Sequence, residues 1–407
     1  MSAATGSCDN LIALPFESPT SRGSGPLAVE RRVSFHGLSD FRADLAVLRI
    51  FINGRFLSQS LSGVQRYAAE MVRSIDELAG TPAIPPSISR ADWTLLVPPN
   101  AISRLALRSI EVARVGTRSG HAWDQVDLAR AARGGPLISL ANSGPLLHRD
   151  QRVVLHDAQV FKHPEFFGWK YAFAHRQLGQ LLARRSRIFT VSEFSRGELA
   201  GSLGLSKQDI GVCPNSAEHL ARVQPDPTVL ERFQLEAGRY FLAVGSLKKN
   251  KNVQVAIEAM RVLNRSDYPL IVVGSENDRV FNRGETQTAP VANVIFAGRL
   301  PDEGLAALYQ HATAFVFPSL YEGFGVPPLE AMLFGCPVIA ADISPVHETC
   351  ADAVRYFNPT DVQGLAALLT ERIAIGPITE AERAAQQARL SIYSWRKSAL
   401  ALLCSFD

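Results

Sequence analysis

The sequence predicts an α/β protein made of two doubly wound domains, each a parallel sheet covered by helices, that face each other across a cleft. Three observations carry this. The chain has 407 residues, more than one hydrophobic core usually organises. Short apolar runs of strand length alternate with stretches of helical period, the pattern of βαβ units. The alternation pauses in a turn-rich segment, 214–227, and then starts again.

Residues 1–44 are rich in Ser, Gly, Pro and Arg, hold no sustained period, and read as a mobile extension. The first domain is expected over 45–215. Its runs 47–52, 94–97, 137–140, 153–155 and 188–191 read as strands, since they are short, apolar and bounded by polar or turn residues. Residues 64–78 and 171–183 read as helices, because apolar side chains recur every three or four positions. The second domain is expected over 216–390, with strands at 240–244, 270–273, 294–297, 314–317 and 338–340. Helices are expected there at 253–263, 303–311, 328–334 and 362–369, and a last helix lies within 391–407.

Composition narrows the class. A hydrophobic content of 46% with 20% charged residues describes an ordinary globular protein. The five cysteines (8, 213, 336, 350 and 404) are odd in number and show no C-x-x-C spacing. That argues against a disulfide framework or a zinc site and for a reducing cytosol. No apolar run reaches bilayer-spanning length, and the N-terminus lacks the signal-peptide pattern. The net charge of +3 is unevenly shared: 25 Lys and Arg stand against 18 Asp and Glu in 1–215, and 17 against 21 in 216–407. A basic first half suits an anionic bilayer surface or a lipid diphosphate. Nucleic acid is not expected, because no basic run carries interleaved aromatics. Residues 169–187 mix aromatics with basic residues. They fit a helix lying on a membrane, or a first-domain helix packed by Phe173, Leu178, Leu181 and Leu182.

The most informative stretch is F-P-S-L-Y-E-G-F-G-V-P-P-L-E, 317–330. An apolar strand ends in Pro318 and Ser319, a glycine-flanked loop follows, and Pro327 and Pro328 open a helix. A helix N-terminus after a glycine loop holds phosphate, because free backbone N–H groups and the positive end of the dipole meet at one point. Gly323 and Gly325 let the backbone approach a ligand closely. The carboxylates Glu322 and Glu330 would repel phosphate, so their partners are hydroxyls: ribose for Glu330, a sugar for Glu322. A diphosphate between two hydroxyl-rich ends is a nucleotide sugar. The plainer alternative is a strand-turn-helix with a surface Glu pair.

This motif resembles the E-x7-E signature of retaining glycosyltransferases of GT-B fold, family 4. The similarity extends through A-M-L-F-G-C-P-V-I-A-A-D-I-S-P-V-H-E (331–348) and N-V-I-F-A-G-R-L-P-D-E-G-L-A-A-L-Y-Q-H-A-T-A-F-V-F-P-S (293–319). It also takes in V-G-S-L-K-K-N-K-N (244–252), V-C-P-N-S (212–216), T-V-S-E-F-S-R (190–196), V-V-L-H-D (153–157) and N-G-R-F-L-S-Q-S-L-S-G-V-Q-R-Y-A (53–68). The resemblance implies a donor-binding second domain, an acceptor-side first domain, and a last helix that crosses back onto the first. It implies that Lys251 neutralises the donor diphosphate, that His156 hydrogen-bonds the donor sugar, and that Ser62 and Gly63 border the diphosphate. Phe324, Gly325 and Val326, with Gly323, would offer backbone N–H groups. Where the family places a basic residue after the loop glycine this chain has Ser246, with Lys248 or Lys249 left to compensate.

Other residues read more openly. Asp157 would orient His156 or bind the acceptor, and Trp123 and Asn142 are acceptor-side candidates. Glu348 reads as an N-terminal charge on its own helix, while Glu193 reads as structural beside Ser192 as an N-cap. The expected reaction is transfer of a sugar from a nucleotide sugar to a hydroxyl of a saccharide or lipid-linked saccharide, with front-face attack and retention. Similarity to bacterial mannosyltransferases points to GDP-mannose and polysaccharide synthesis at the inner face of the membrane, by a cytoplasmic protein. No D-x-D pair is placed to bind a metal at the diphosphate, so neither metal nor other cofactor is expected. A nucleotide-sugar epimerase of the same architecture is the alternative. A dinucleotide-dependent dehydrogenase lacks its G-x-G-x-x-G here.

Overall fold

The structure, a computed structural model, describes residues 47–274 and 293–407; the expected extension, 1–44, with Cys8 in it, lies outside the described residues. Two sheets form, with parallel pairing throughout. The first contains β1 (Arg49–Asn53), β2 (Asp92–Val97), β3 (Ile110–Arg114), β4 (Leu137–Ser139), β5 (Gln151–Val154), β6 (Arg187–Thr190) and β7 (Ile210–Val212), in the order β3-β2-β1-β4-β5-β6-β7. The second contains β8 (Phe241–Val244), β9 (Leu270–Val273), β10 (Val294–Gly298), β11 (Ala314–Phe317), β12 (Val338–Ala341) and β13 (Arg355–Phe357), in the order β10-β9-β8-β11-β12-β13.

Each strand expected from sequence is present, displaced by a residue or two at its ends. The strands not anticipated, β3, β7 and β13, all lie at sheet edges. An edge strand shows one face to solvent, so its apolar pattern is thin: in β3 Ile110 is buried while Val112 is exposed.

Helices cover both sheets: α1 (Gly63–Leu78), α2 (Trp169–Ala183), α3 (Glu193–Leu203), α4 (Val253–Leu263), α5 (Asp302–His311), α6 (Val326–Leu333), α7 (Ser344–Cys350), α8 (Val362–Ile375), α9 (Glu380–Leu390) and α10 (Trp395–Leu403). In α1, Tyr67, Ala68, Met71, Val72, Ile75 and Leu78 are buried, a stripe of period three to four that seats the helix on the first sheet. α10 returns to this domain. Trp395 meets Tyr67 edge to face at 5.7 Å, and Ser398 Oγ donates to Pro214 O at 2.6 Å.

The packing expected for α2 needs correction. Leu182 is buried, but Phe173 is 64% and Leu181 40% exposed, and Trp169 is 75% exposed. One face of α2 touches the sheet; the other carries aromatics into solvent.

Candidate active site

In both sheets the strand order reverses near the centre, between β1 and β4 and between β8 and β11. Ligands of open α/β sheets sit outside the strand carboxyl ends at such points. The loops after β4 and β5 and those after β8 and β11 meet there. Gly323, in the loop after β11, lies directly on the end of β5: a Cβ at Gly323 would sit 2.5 Å from His156 O and 3.0 Å from Asp157 Cβ. Ser195 Oγ donates to Gly323 O at 2.9 Å, and Ser192 Oγ donates to the same oxygen. Donor-side loop and acceptor-side strand are thus in contact.

The loop also keeps its ligand-facing groups open. Gly325, at φ +93°, turns the chain into α6 in a conformation that favours glycine. The Phe324 ring packs edge-on against Tyr393 at 5.1 Å, and Phe324 O accepts from Thr349 Oγ1 at 2.7 Å. Among the described residues, the N–H groups of Gly323, Phe324 and Gly325 donate to no backbone or side-chain oxygen. Val326 is the first residue of α6, where an N–H has no intrahelical partner.

The basic loop after β8 is tied to this turn. Leu320 N donates to Asn250 O at 2.8 Å, and Asn252 Nδ2 donates to Pro318 O at 3.0 Å and Pro359 O at 2.8 Å. That brings Lys251 Nζ to 2.6 Å from Glu322 Oε1. The residues expected to hold phosphate and sugar are therefore partners of each other. Lys248 is exposed and Ser246 partly buried on the same loop.

Asp157 faces that pair. Burial raises its pKa most, with Glu322 adding to the rise, while the Gln159 N–H at 2.8 Å and the Lys251 charge oppose it. Asp157 does not orient the His156 ring. His156 Nε2 donates to Leu140 O at 3.0 Å, which fixes the tautomer and leaves Nδ1 as an acceptor. Burial draws the His156 pKa down to about 4, so the ring is neutral at physiological pH. Asn142 Oδ1 accepts from His156 N at 2.7 Å, so Asn142 braces the end of β5.

Trp123 differs from expectation: it is wholly buried and its Nε1 donates to Val115 O at 2.8 Å, which makes it a core residue of the first domain. Ser62 and Gly63 are exposed at the start of α1. One turn on, Arg66 makes a bidentate pair with Asp302 of α5, both bonds 2.7 Å, joining the domains at that side of the cleft.

Glu330 is 8% exposed. Tyr309 OH donates to its Oε2 at 3.1 Å, and His219 Nε2 lies 3.2 Å from Oε1. Sequence reasoning missed Tyr309 and His219. Tyr309 is one more apolar position of α5, and His219 follows the V-C-P-N-S run by three residues without a pattern of its own.

Glu348 also differs from expectation. It lies late in α7 and reaches across to cap α3, accepting from Glu193 N at 2.7 Å and Phe194 N at 2.8 Å, beside the N-cap Ser192, whose Oγ accepts from Ser195 N at 3.0 Å. Its carboxylate thus sits on the positive end of the other domain's helix. Glu348→Ala is expected to cost about 1–2 kcal/mol of stability, by the loss of a cap, read as a fall in melting temperature. Glu348→Gln, which keeps an acceptor, is expected to recover part of it.

Two facing Rossmann-like domains with the cleft at both switch points define a GT-B fold. Solved structures with that fold agree: WaaG, a glycosyltransferase involved in lipopolysaccharide biosynthesis, matches with TM-score 0.62 at 16% identity over 87% of this chain and 98% of its own. Anabaena Alr3699/HepE in complex with UDP matches with TM-score 0.61 at 15% identity, over 87% and 97%. The family Glycosyl transferases group 1 matches residues 231–390. O-antigen chain mannosyltransferase B of Escherichia coli is 31% identical over 262 residues, 61% of this chain and 68% of the relative. O-antigen chain mannosyltransferase RfbU of Salmonella typhimurium is 28% identical over 321 residues, 77% and 87%. The chain belongs to the group 1 glycosyltransferases, and it is a glycosyltransferase enzyme.

Proposed function

We propose that the enzyme binds a nucleotide sugar across the N-terminus of α6 and transfers the sugar, with retention, to a hydroxyl of a saccharide or lipid-linked saccharide in bacterial polysaccharide synthesis. The observation that carries this is the juxtaposition of Lys251 and Glu322 with Asp157, next to the open N–H groups of Gly323–Gly325. In this reading the motif 322–330 acts as the E-x7-E pair of family 4, Glu322 taking sugar hydroxyls and Glu330 the ribose. The acceptor oxygen attacks C1 as the bond from C1 to the β-phosphate oxygen breaks, and that oxygen takes the acceptor's proton. Lys251 and the loop amides stabilise the departing diphosphate. His156 Nδ1, an acceptor only, suits a sugar hydroxyl. Asp157 lies where an acceptor hydroxyl would arrive.

The mannosyltransferase relatives support mannose, with GDP-mannose as donor. No divalent metal is needed in this scheme, since Lys251 and the amides take the charge. A thermal-shift panel of GDP-, UDP-, dTDP- and ADP-sugars is expected to show the largest rise with GDP-mannose. Activity is expected to survive a chelator, and the product's anomeric proton by NMR reports retention. Release of a free C2 epimer from donor alone would sink the transferase reading.

We also assign the exposed face of α2 to an anionic bilayer surface. Trp169 and Phe173 stand one turn apart, Lys170 and Arg176 flank them in sequence, Arg184, Arg185 and Arg187 follow at the far end of the helix, and no acid lies between 166 and 192. Aromatic and apolar side chains among cations suit an interfacial helix. No helix of the described residues is long and apolar enough to cross a membrane. Trp169→Ser with Phe173→Ser is expected to abolish co-sedimentation with phosphatidylglycerol-rich vesicles while leaving turnover of a soluble acceptor intact.

A further inference from the structure

His219 is 4% exposed, and Glu330 Oε1 lies 3.2 Å from its Nε2. That distance is short enough for a hydrogen bond, yet neither ring nitrogen completes one. A buried imidazole held near, but off the line of, a carboxylate is an arrangement that native structures rarely keep without a use.

The backbone around His219 is held firmly. Ser216 Oγ donates to Tyr393 O at 3.2 Å, and Glu218 Oε2 accepts from Trp395 N at 2.8 Å, so both bonds anchor the segment to α10 and the turn before it. The His219 ring also lies 6.5 Å from that of Trp395. His219 therefore stands on a fixed support, whereas Glu330 has a long side chain whose rotamer must be chosen.

Resting on the reading of Glu330 as the ribose-binding carboxylate, we infer that His219 is a positioning residue for the ribose of the nucleotide. A carboxylate has about four lone-pair directions. Tyr309 OH occupies one on Oε2, and His219 sits by one on Oε1, both on the protein side. The remaining directions are left for two vicinal hydroxyls. When the ribose binds, Glu330 turns into line with Nε2–H and the hydrogen bond closes. His219 thereby supplies selectivity for a ribonucleotide without touching it.

The test uses the full chain and calorimetric titration with GDP, 2′-deoxy-GDP and 3′-deoxy-GDP, with the uridine series alongside. Wild type is expected to prefer a ribonucleotide over at least one deoxy form by about tenfold to a hundredfold, the range of a hydrogen bond to a charged group. Glu330→Gln, whose neutral amide oxygen replaces those bonds only in part, is expected to cut that preference to a few-fold. His219→Ala is expected to reduce it at least severalfold, with affinity for the deoxy form unchanged, and His219→Gln, which keeps a donor, to restore part of it. Equal loss of ribo- and deoxynucleotide affinity in His219→Ala, or no loss, overturns the inference while a collapse in Glu330→Gln leaves the donor reading standing. An undiminished preference in Glu330→Gln overturns both.

Discussion

Glu330→Gln is expected to lower kcat/KM for the donor by roughly a hundredfold to a thousandfold. Each hydrogen bond from a ribose hydroxyl to a charged carboxylate contributes about 1.5–3 kcal/mol, and 1.4 kcal/mol is about one factor of ten. Two such bonds, partly replaced by the neutral amide oxygen, give the stated range. The loss is expected in KM and in nucleotide affinity, because ribose binding is the same in ground and transition states. Glu330→Ala is expected to be worse and to lower stability too, since it strips Tyr309 OH and His219 of their buried partner. Steady-state kinetics with titration of the free nucleotide separates the two effects. Unaltered affinity in both variants would remove the foundation of the donor site.

Lys251→Met is expected to act differently, lowering kcat by about a hundredfold to a thousandfold, the cost of deleting one preorganised donor to a developing anion. The side chain it removes sits 2.6 Å from Glu322, so the variant also leaves Glu322 and Asp157 together without their cation. One of the two influences that lower the Asp157 pKa is then lost, the Gln159 N–H remaining, and its carboxyl is held still higher. Any acid limb of the pH–rate profile due to Asp157 therefore moves to higher pH. Lys251→Arg is expected to keep the charge and recover part of kcat. A variant with normal kcat and only a raised KM would show that Lys251 binds the donor without serving the leaving group.

The central strands were readable because β4, β8, β11 and β12 are flanked by other strands and almost wholly buried, so every residue is apolar or small, and β1 carries a buried apolar run, Ile50–Ile52, between Arg49 and Asn53. The glycine loop was readable because its chemistry is local: the turn, the Pro-opened helix and both carboxylates lie within 317–330. Contacts made across the cleft were not. Glu348 caps a helix 154 residues earlier in the chain, and no local pattern marks a carboxylate for that task. Lys251 and Glu322 are 71 residues apart, so their pairing became visible only once β8 and β11 lay side by side. Trp123 misled for the opposite reason. Read as an acceptor-side candidate, its indole instead packs in the core cluster with Phe51, Leu96 and Leu137 and closes on Val115.

The return of α10 has a consequence for synthesis on the ribosome. Tyr67 in α1 and the segment at Pro214 each have a partner in residues translated only after the whole second sheet. Domains generally fold in order of emergence. Here the half that emerges first stays unfinished, with part of α1 bare to solvent, until Trp395–Leu403 clears the exit tunnel. A nascent chain stalled before that helix should recruit chaperones and remain protease-sensitive around α1, although both of its sheets are already spelled out.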